Sequence, residues 1–326
     1  MAMTRRTFLE WVIGGSLSAS AARLRPASAQ SLTPVKVGCV VLGDFGINAP
    51  TMVGLEKGLF AQNGLAAEMI PFKGGPDLLK GVLAGAADVG LTGATDPLVF
   101  RERGTTIRSV ATILDKNHFT LTVTPQIKRV EDLKGGTIGV TVVGSTTWVF
   151  ARMLAKKMGW DPEKDLKIVG IGGIDAQAAA LRRGETQACI FGDAGAVLES
   201  QGIGRIIMRL DEVTPKWISL TAYSTDELIK AKKDVVQRTL RAIFQGHKFC
   251  RENGDESIRI AAKGIGWTEP ATRRASEIVR PLLSVDGKID LDALRFMQDT
   301  LLDLGVLKKR LPLEEHYTAE FLPVKV

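Results

Sequence analysis

Cysteine, histidine and tyrosine are scarce in this chain: three, three and two residues in 326. Three thiols make no disulfide framework. Cys39 and Cys189 lie in strand-like runs and Cys250 on a helical one, so all three are expected to be buried as small hydrophobes. His118, His247 and His316 stand far apart with no metal-ligand spacing around them, and no metal is expected. There is no Cys-rich run, no Gly-x-Ser-x-Gly elbow and no dense His/Asp/Glu constellation, so neither catalytic residues nor a cofactor are expected. Beyond residue 30 no apolar run approaches the ~20 residues that span a bilayer. Excess charge is also thin. The net charge is +7, and it falls to +4 once Arg5, Arg6, Arg23, Arg25 and Glu10 are set aside. No basic stripe carries interleaved aromatics, which excludes nucleic acid as a partner. Lys232-Lys233 and Lys308–Arg310 read as solvated faces.

What is present begins with Thr4-Arg5-Arg6-Thr7-Phe8-Leu9, which looks like a bacterial twin-arginine export signal, although Glu10 stands where Lys is frequent. A Gly/Ser/Ala-rich, weakly apolar stretch, Trp11–Ala22, follows. Ala27-Ser28-Ala29 then fits a small-residue cleavage site, so residues 1–29 are expected to be an export signal and the mature chain to start near Gln30. No Cys follows that site, so no lipid anchor is expected there. The twin-arginine route carries folded proteins, which suits a chain that needs no oxidation.

The most informative stretch is Gly136–Gly159. Thr137–Val143 is β-branched and apolar, as a buried parallel strand is. Gly144 turns the chain, Ser145 is placed to cap a helix over Thr146–Met158, and Gly159 stops it. A strand, a hydroxyl-rich turn and a helix start aim free N–H groups and hydroxyls past the strand's end.

That pattern occurs twice. Gly38 and Gly43 bracket GCVVLG as Gly139 and Gly144 bracket GVTVVG, and Gly58 and Gly159 each end a helix. Strands at Ala67–Phe72 and Leu166–Gly170 follow. Gly74-Gly75-Pro76-Asp77 and Gly172-Gly173-Ile174-Asp175 then open helices that stop at Gly85 and Gly184, and the strands after them close on Gly93 and Gly192. Two β-α-β-α-β units imply two parallel sheets with right-handed crossovers and a ligand beyond the strands' carboxyl ends. Asp115–His118 and Asp211–Lys216 are the expected crossings between lobes. A long helix is expected from Thr225-Asp226 to Asn253-Gly254, with further helices from Thr268 and over Leu291–Leu304. The last segment, 313–326, is expected to pack on the first lobe as a helix and tail.

Glu56-Lys57-Gly58-Leu59-Phe60 with Asn63-Gly64-Leu65, Gly85–Gly93, Asp132–Gly144 and the ending Pro312–Pro323 together resemble a known family. It is that of periplasmic solute-binding proteins of ABC importers, in the nitrate/sulfonate/taurine branch that includes thiamine-pyrimidine-binding proteins. The resemblance covers nearly all of the chain after the export signal. It implies an α/β, two-lobed type II periplasmic binding protein fold, each lobe a wound, mostly parallel sheet flanked by helices, with two hinge crossings. The expected lobes are 30–116 with 217–326, and 117–216. It also implies a periplasmic monomer that closes on a small-molecule ligand and delivers it to a membrane ABC permease.

Carried onto this sequence, the resemblance gives four wall segments and the ligand candidates Asp44, Phe45, Thr92, Thr95, Ser145, Thr146, Thr147 and Asp193. In sulfonate- and nitrate-type members, helix starts and hydroxyls hold the anion, a role that Ser145–Thr147 fits. No Lys or Arg occurs in the four segments, and Asp44, Asp96 and Asp193 disfavour a purely anionic ligand. Asp193 suits an N–H or amino group on a heteroaromatic or zwitterionic ligand. Asp96, before Pro97, reads as a turn residue, and His118 and Trp217 fall at the crossings where they could face the cleft. Two other functions share the layout: an enzyme of the pyrimidine-synthase kind, and a ligand-loaded sensor that docks on a membrane receptor.

Overall fold

Two five-stranded sheets carry the chain. The structure, a computed structural model, describes residues 31–40 and 43–326. The export-signal reading over 1–29, and Val41 and Leu42 of the first Gly-bracketed strand, lie outside the described residues. The chain first forms β1 (Thr33–Val40), α1 (Phe45–Glu56), α2 (Leu59–Gln62), β2 (Leu65–Phe72), α3 (Gly75–Leu83), β3 (Val89–Gly93), α4 (Thr95–Glu102) and β4 (Ile107–Leu114). It continues through β5 (Thr120–Val123), β6 (Thr137–Val140), α5 (Thr146–Lys157), β7 (Lys167–Gly170), α6 (Ile174–Arg182), β8 (Ala188–Phe191), α7 (Gly195–Ser200) and β9 (Arg205–Arg209). The final part holds β10 (Leu220–Thr225), α8 (Asp226–Ala231), α9 (Lys233–Glu252), α10 (Gly254–Ile265), α11 (Glu269–Val279), α12 (Leu291–Asp303) and α13 (Leu313–His316).

The strand orders are β2-β1-β3-β10-β4 and β7-β6-β8-β5-β9. The sheets are two copies of one plan. In each, the second strand in the order pairs in parallel with both neighbours, and the fourth strand runs antiparallel to both strands beside it. That fourth strand is the one the chain forms immediately after crossing from the other sheet. The internal repeat therefore appears in the topology, and the fold is the two-lobed, wound α/β architecture.

The two crossings lie against each other. Ser219 N–H donates to the Leu114 carbonyl (3.0 Å) and Leu210 N–H to that of Phe119 (2.9 Å), while Asn117 Nδ2 donates to Thr214 Oγ1 (2.7 Å). The rings of Phe119, Phe150 and Trp217 pack in series through this region, edge-on and then tilted, with centroids 4.9 and 5.4 Å apart, so one apolar core continues from sheet to sheet. The paired connections leave rotation about the crossings as the soft coordinate between lobes.

Several expected boundaries shift. The strand expected over Thr137–Val143 ends at Val140, because the Thr141 N–H is taken by Thr147 Oγ1 (3.0 Å) and not by a neighbouring strand. The long helix expected from Thr225 breaks at Lys232, whose φ of −128° leaves the helical region. At Asn253 the chain turns and restarts at once as α10, which the Asn-Gly stop signal concealed. The carboxyl-terminal segment is helical over only four residues. Beyond them it lies along β4, where Thr318 N–H donates to the Ser109 carbonyl (2.9 Å). All three cysteines are buried and free. Burial pushes each thiol up to about 12, so none is a thiolate at neutral pH.

Candidate functional site

The carboxyl ends of β1 and β3 look across at those of β6 and β8, and a small cavity of about 40 Å³ lies between them. From the first sheet come Asp44, Thr92 and Asp96, and from the second Thr141, Ser145, Thr146 and Thr147. Among the described residues, no Lys or Arg lines the cavity.

The second wall is a knot of hydroxyls at the start of α5. Ser145 caps the helix, accepting from Trp148 N–H at 3.4 Å. Thr141 Oγ1 donates to Ser145 Oγ (2.9 Å), and Thr147 Oγ1 lies 3.0 Å from Thr141 Oγ1 and 2.9 Å from Ser145 Oγ. Three hydroxyls that satisfy one another stay buried at little cost and keep the turn rigid. Thr146, outside this ring, reaches over the gap and donates to Asp96 Oδ1 (3.0 Å).

Asp96 is 3% exposed and also accepts from Thr92 Oγ1 (2.7 Å). Burial raises its carboxyl from the ordinary 3.8 to about 6, and the two threonine hydroxyls only partly oppose this. Between those values the folded chain keeps a proton that the unfolded chain has released. Stability therefore falls as pH rises through the window, and above it remains lower by about 3 kcal/mol. Asp96→Asn is expected to be the more stable protein at pH 7 by up to about 3 kcal/mol, with the gap closing toward pH 4. Chemical denaturation of both proteins across that range reads it, and a gap independent of pH would show that no buried charge is involved.

Asp44 closes the other end. Its Oδ1 caps α1 by accepting from Ile47 N–H (3.0 Å), and its Oδ2 lies 3.0 Å from His118 Nε2. An ionised carboxylate only accepts, so Nε2 carries the proton. On the far side of the ring, Nδ1 lies 2.7 Å from Ser219 Oγ, which also accepts from the His118 backbone N–H at 3.4 Å. The chain of contacts locks Asp44 onto the crossing at His118.

Asp193 does something different from what was expected of it. It lies outside the lining and is fully buried. Its Oδ2 accepts from the backbone N–H groups of Phe45 (2.8 Å) and Gly46 (3.2 Å) on the opposite lobe. Burial, and then the charge of Asp44, push its carboxyl well above the usual range.

Of the eight residues the sequence pointed to, Asp44, Thr92, Ser145, Thr146 and Thr147 meet at the cavity. Phe45, Thr95 and Asp193 do not line it. The Phe45 ring is fully buried in the core, so it is corrected from a ligand candidate to a packing residue. Thr95 begins α4 and is fully buried. Trp217 is a core ring at the crossing. Asp96, read as a turn residue, is instead the carboxyl that links the walls, and Thr141 completes the hydroxyl ring. Nothing local marks Asp96, because its deciding partner Thr146 is fifty residues away. For Thr141 the signal was a hydroxyl inside an apolar run, four residues before the helix cap.

Known proteins share this architecture. The alkanesulfonate-binding protein SsuA of Xanthomonas axonopodis pv. citri, solved bound to MOPS, superposes with a TM-score of 0.76 at 18% identity over 88% of this chain and 98% of that one. The periplasmic nitrate-binding protein NrtA of Synechocystis PCC 6803 gives 0.65 at 15% identity over 74% and 69%. A candidate binding protein of Brucella abortus (strain 2308) is 24% identical over 99% of this chain and all of its own length. The NMT1/THI5-like family model matches residues 48–257, a span that runs from within α1 into α10 and takes in all of the second wall, and the chain belongs to that family.

Proposed function

We propose that this chain is an extracytoplasmic solute-binding protein. Its lobes, 30–116 with 217–326 and 117–216, close on one small molecule and present it, as a monomer, to a membrane ABC permease. The observation that carries the reading is the meeting of strand ends from both sheets at one cavity, with Thr146 of one wall hydrogen-bonded to Asp96 of the other. Such a gap is formed by closure, and a molecule that bridges it biases the lobes toward the closed state. The names of the relatives support a binding role.

The lining also bears on what is bound. Two carboxyls face the cavity with no Lys or Arg among its described lining, and a buried carboxyl held at a cost to stability belongs with a partner that arrives from outside. A solute with an N–H or amino group satisfies Asp44 and Asp96, while the start of α5 suits an electron-rich group. A thermal-shift screen against sulfonates, nitrate, carboxylates, amino acids and pyrimidines tests the reading. A true solute at a hundredfold excess over Kd adds about 2.7 kcal/mol, and small-angle scattering should show compaction with it. A full screen with no stabilising solute, or a bound solute that leaves the cleft residues indifferent to mutation, would refute it.

A further inference from the structure

The cavity between the strand ends is too small to be the whole site. Small-molecule pockets usually enclose roughly 300–1,000 Å³, and the inner cavity is about 40 Å³. Directly outside it lies a second, more open cavity of about 650 Å³. Thr141 lines both, so the two are neighbouring compartments of one cleft. The outer compartment is also bounded by both lobes: Phe72 ends β2 and Lys73 follows it on one side, and Val142 and Ile171 flank the turns after β6 and β7 on the other.

The charges of the two compartments differ in sign. The inner lining contributes carboxyls and no cation. The outer lining contributes Lys73 and no carboxylate. Among the described residues Lys73 has no ion pair, so its ammonium is available to a ligand. Phe72, Val142 and Ile171 supply apolar surface between the two ends. Gly172 and Gly173 leave backbone bare on the far side, where α6 starts on a glycine with no side-chain cap.

We infer that the outer compartment is a second subsite, which takes the anionic end of an elongated solute on Lys73 while Asp44 and Asp96 hold that solute's N–H-bearing end. The solute is bipolar, an amine or N–H-rich ring at one end and a sulfonate, phosphate or carboxylate at the other, with an apolar middle against Phe72. The inference rests on the solute-binding reading and adds the ligand's polarity and length. It explains how a cleft whose inner part repels anions can belong to an architecture shared with anion-binding proteins. The negative group is moved outward to the lysine, where a charge-assisted contact needs no burial of the pair.

The test uses probes of known polarity in calorimetric titrations of the purified protein. Para-aminomethylbenzenesulfonate and aminoalkylsulfonates of increasing length carry both ends; benzylamine and benzenesulfonate carry one each. The two-ended probes are expected to bind at least about tenfold tighter than either one-ended probe, and Lys73→Gln should remove about that factor from them while leaving benzylamine unchanged. Lys73 is exposed, so the substitution leaves the core intact. Two-ended affinity that ignores Lys73→Gln, or benzenesulfonate binding as tightly as its two-ended counterpart, would overturn the subsite. A solute from the wider screen that closes the lobes equally well in Lys73→Gln overturns the subsite alone. Failure of every probe and every solute overturns the binding reading with it.

Discussion

Gly93→Ala is expected to weaken solute capture by about a hundredfold while leaving each lobe folded. Gly93 ends β3 and faces the other lobe. A Cβ built there would meet Thr146 Oγ1 at 2.2 Å and Thr146 Cβ at 2.7 Å. Thr146 cannot swing aside without giving up its hydrogen bond to Asp96, and its backbone is the first turn of α5. Overpacking of this size typically costs 1–3 kcal/mol when neighbours relax, and here the easiest relaxation is for the lobes to stay apart. The backbone at Gly93 lies in an ordinary β-strand and pairs with Leu220, so alanine is tolerated within its own sheet. The repeat makes the same point from the other side: at the matching position, Gly192, a Cβ would meet Asp44 Oδ2 at 2.1 Å. Both repeat units have a glycine at the exit of the middle strand, the last residue of β3 and the first after β8, because each exit is where the opposite lobe arrives. Scattering profiles with and without solute, alongside calorimetric affinity, read the outcome. A variant that compacts and binds as the parent does would show that this contact is not made on closure.

Which parts of this could be read from the chain follows from the range of the interactions. The two sheets, most helix starts and the matched glycines are local or periodic signals, and they led directly to the wound two-lobed plan. The start of α5 was legible for the same reason: strand, Gly144, Ser145 and helix are contiguous. Contacts between lobes were not legible. Asp96 was given a local role because Pro97 follows it, and its real partner comes from a helix in the other lobe. Asp193 occupies the position, after the last parallel strand of its sheet, where a ligand contact would be guessed, yet it reaches across to the start of α1. The break at Lys232 was missed because the backbone leaves the helix for one residue only, and the immediate restart at Gly254 because Asn253-Gly254 reads as a stop. Lys73 carries no sequence signal: it becomes notable only when the end of β2 is seen beside the turn after β7.

Asp193 distinguishes a latch between lobes from a ligand contact, and two substitutions separate them. Asp193→Ala removes the acceptor for the N–H groups of Phe45 and Gly46, both fully buried or nearly so. Each orphaned buried donor costs about 1–3 kcal/mol, so the closed protein is expected to lose about 4 kcal/mol. It recovers part of that by opening and wetting the start of α1. Asp193→Asn keeps a carbonyl oxygen for both donors and removes the charge that burial and Asp44 hold in disfavour. A carboxyl raised in the folded state is a burden above its ordinary pKa and none below it. Asn is therefore expected to match or exceed the parent at pH 7, with the advantage fading as the pH falls toward the ordinary carboxyl range. Denaturation midpoints with scattering on the three proteins decide the matter. Ala opened and destabilised, with Asn closed and stable, identifies a latch that works through hydrogen bonds to the helix start. Equal losses in both would mean that the negative charge itself is needed at the start of α1, where the free N–H groups of the first turn and the helix dipole favour an anion.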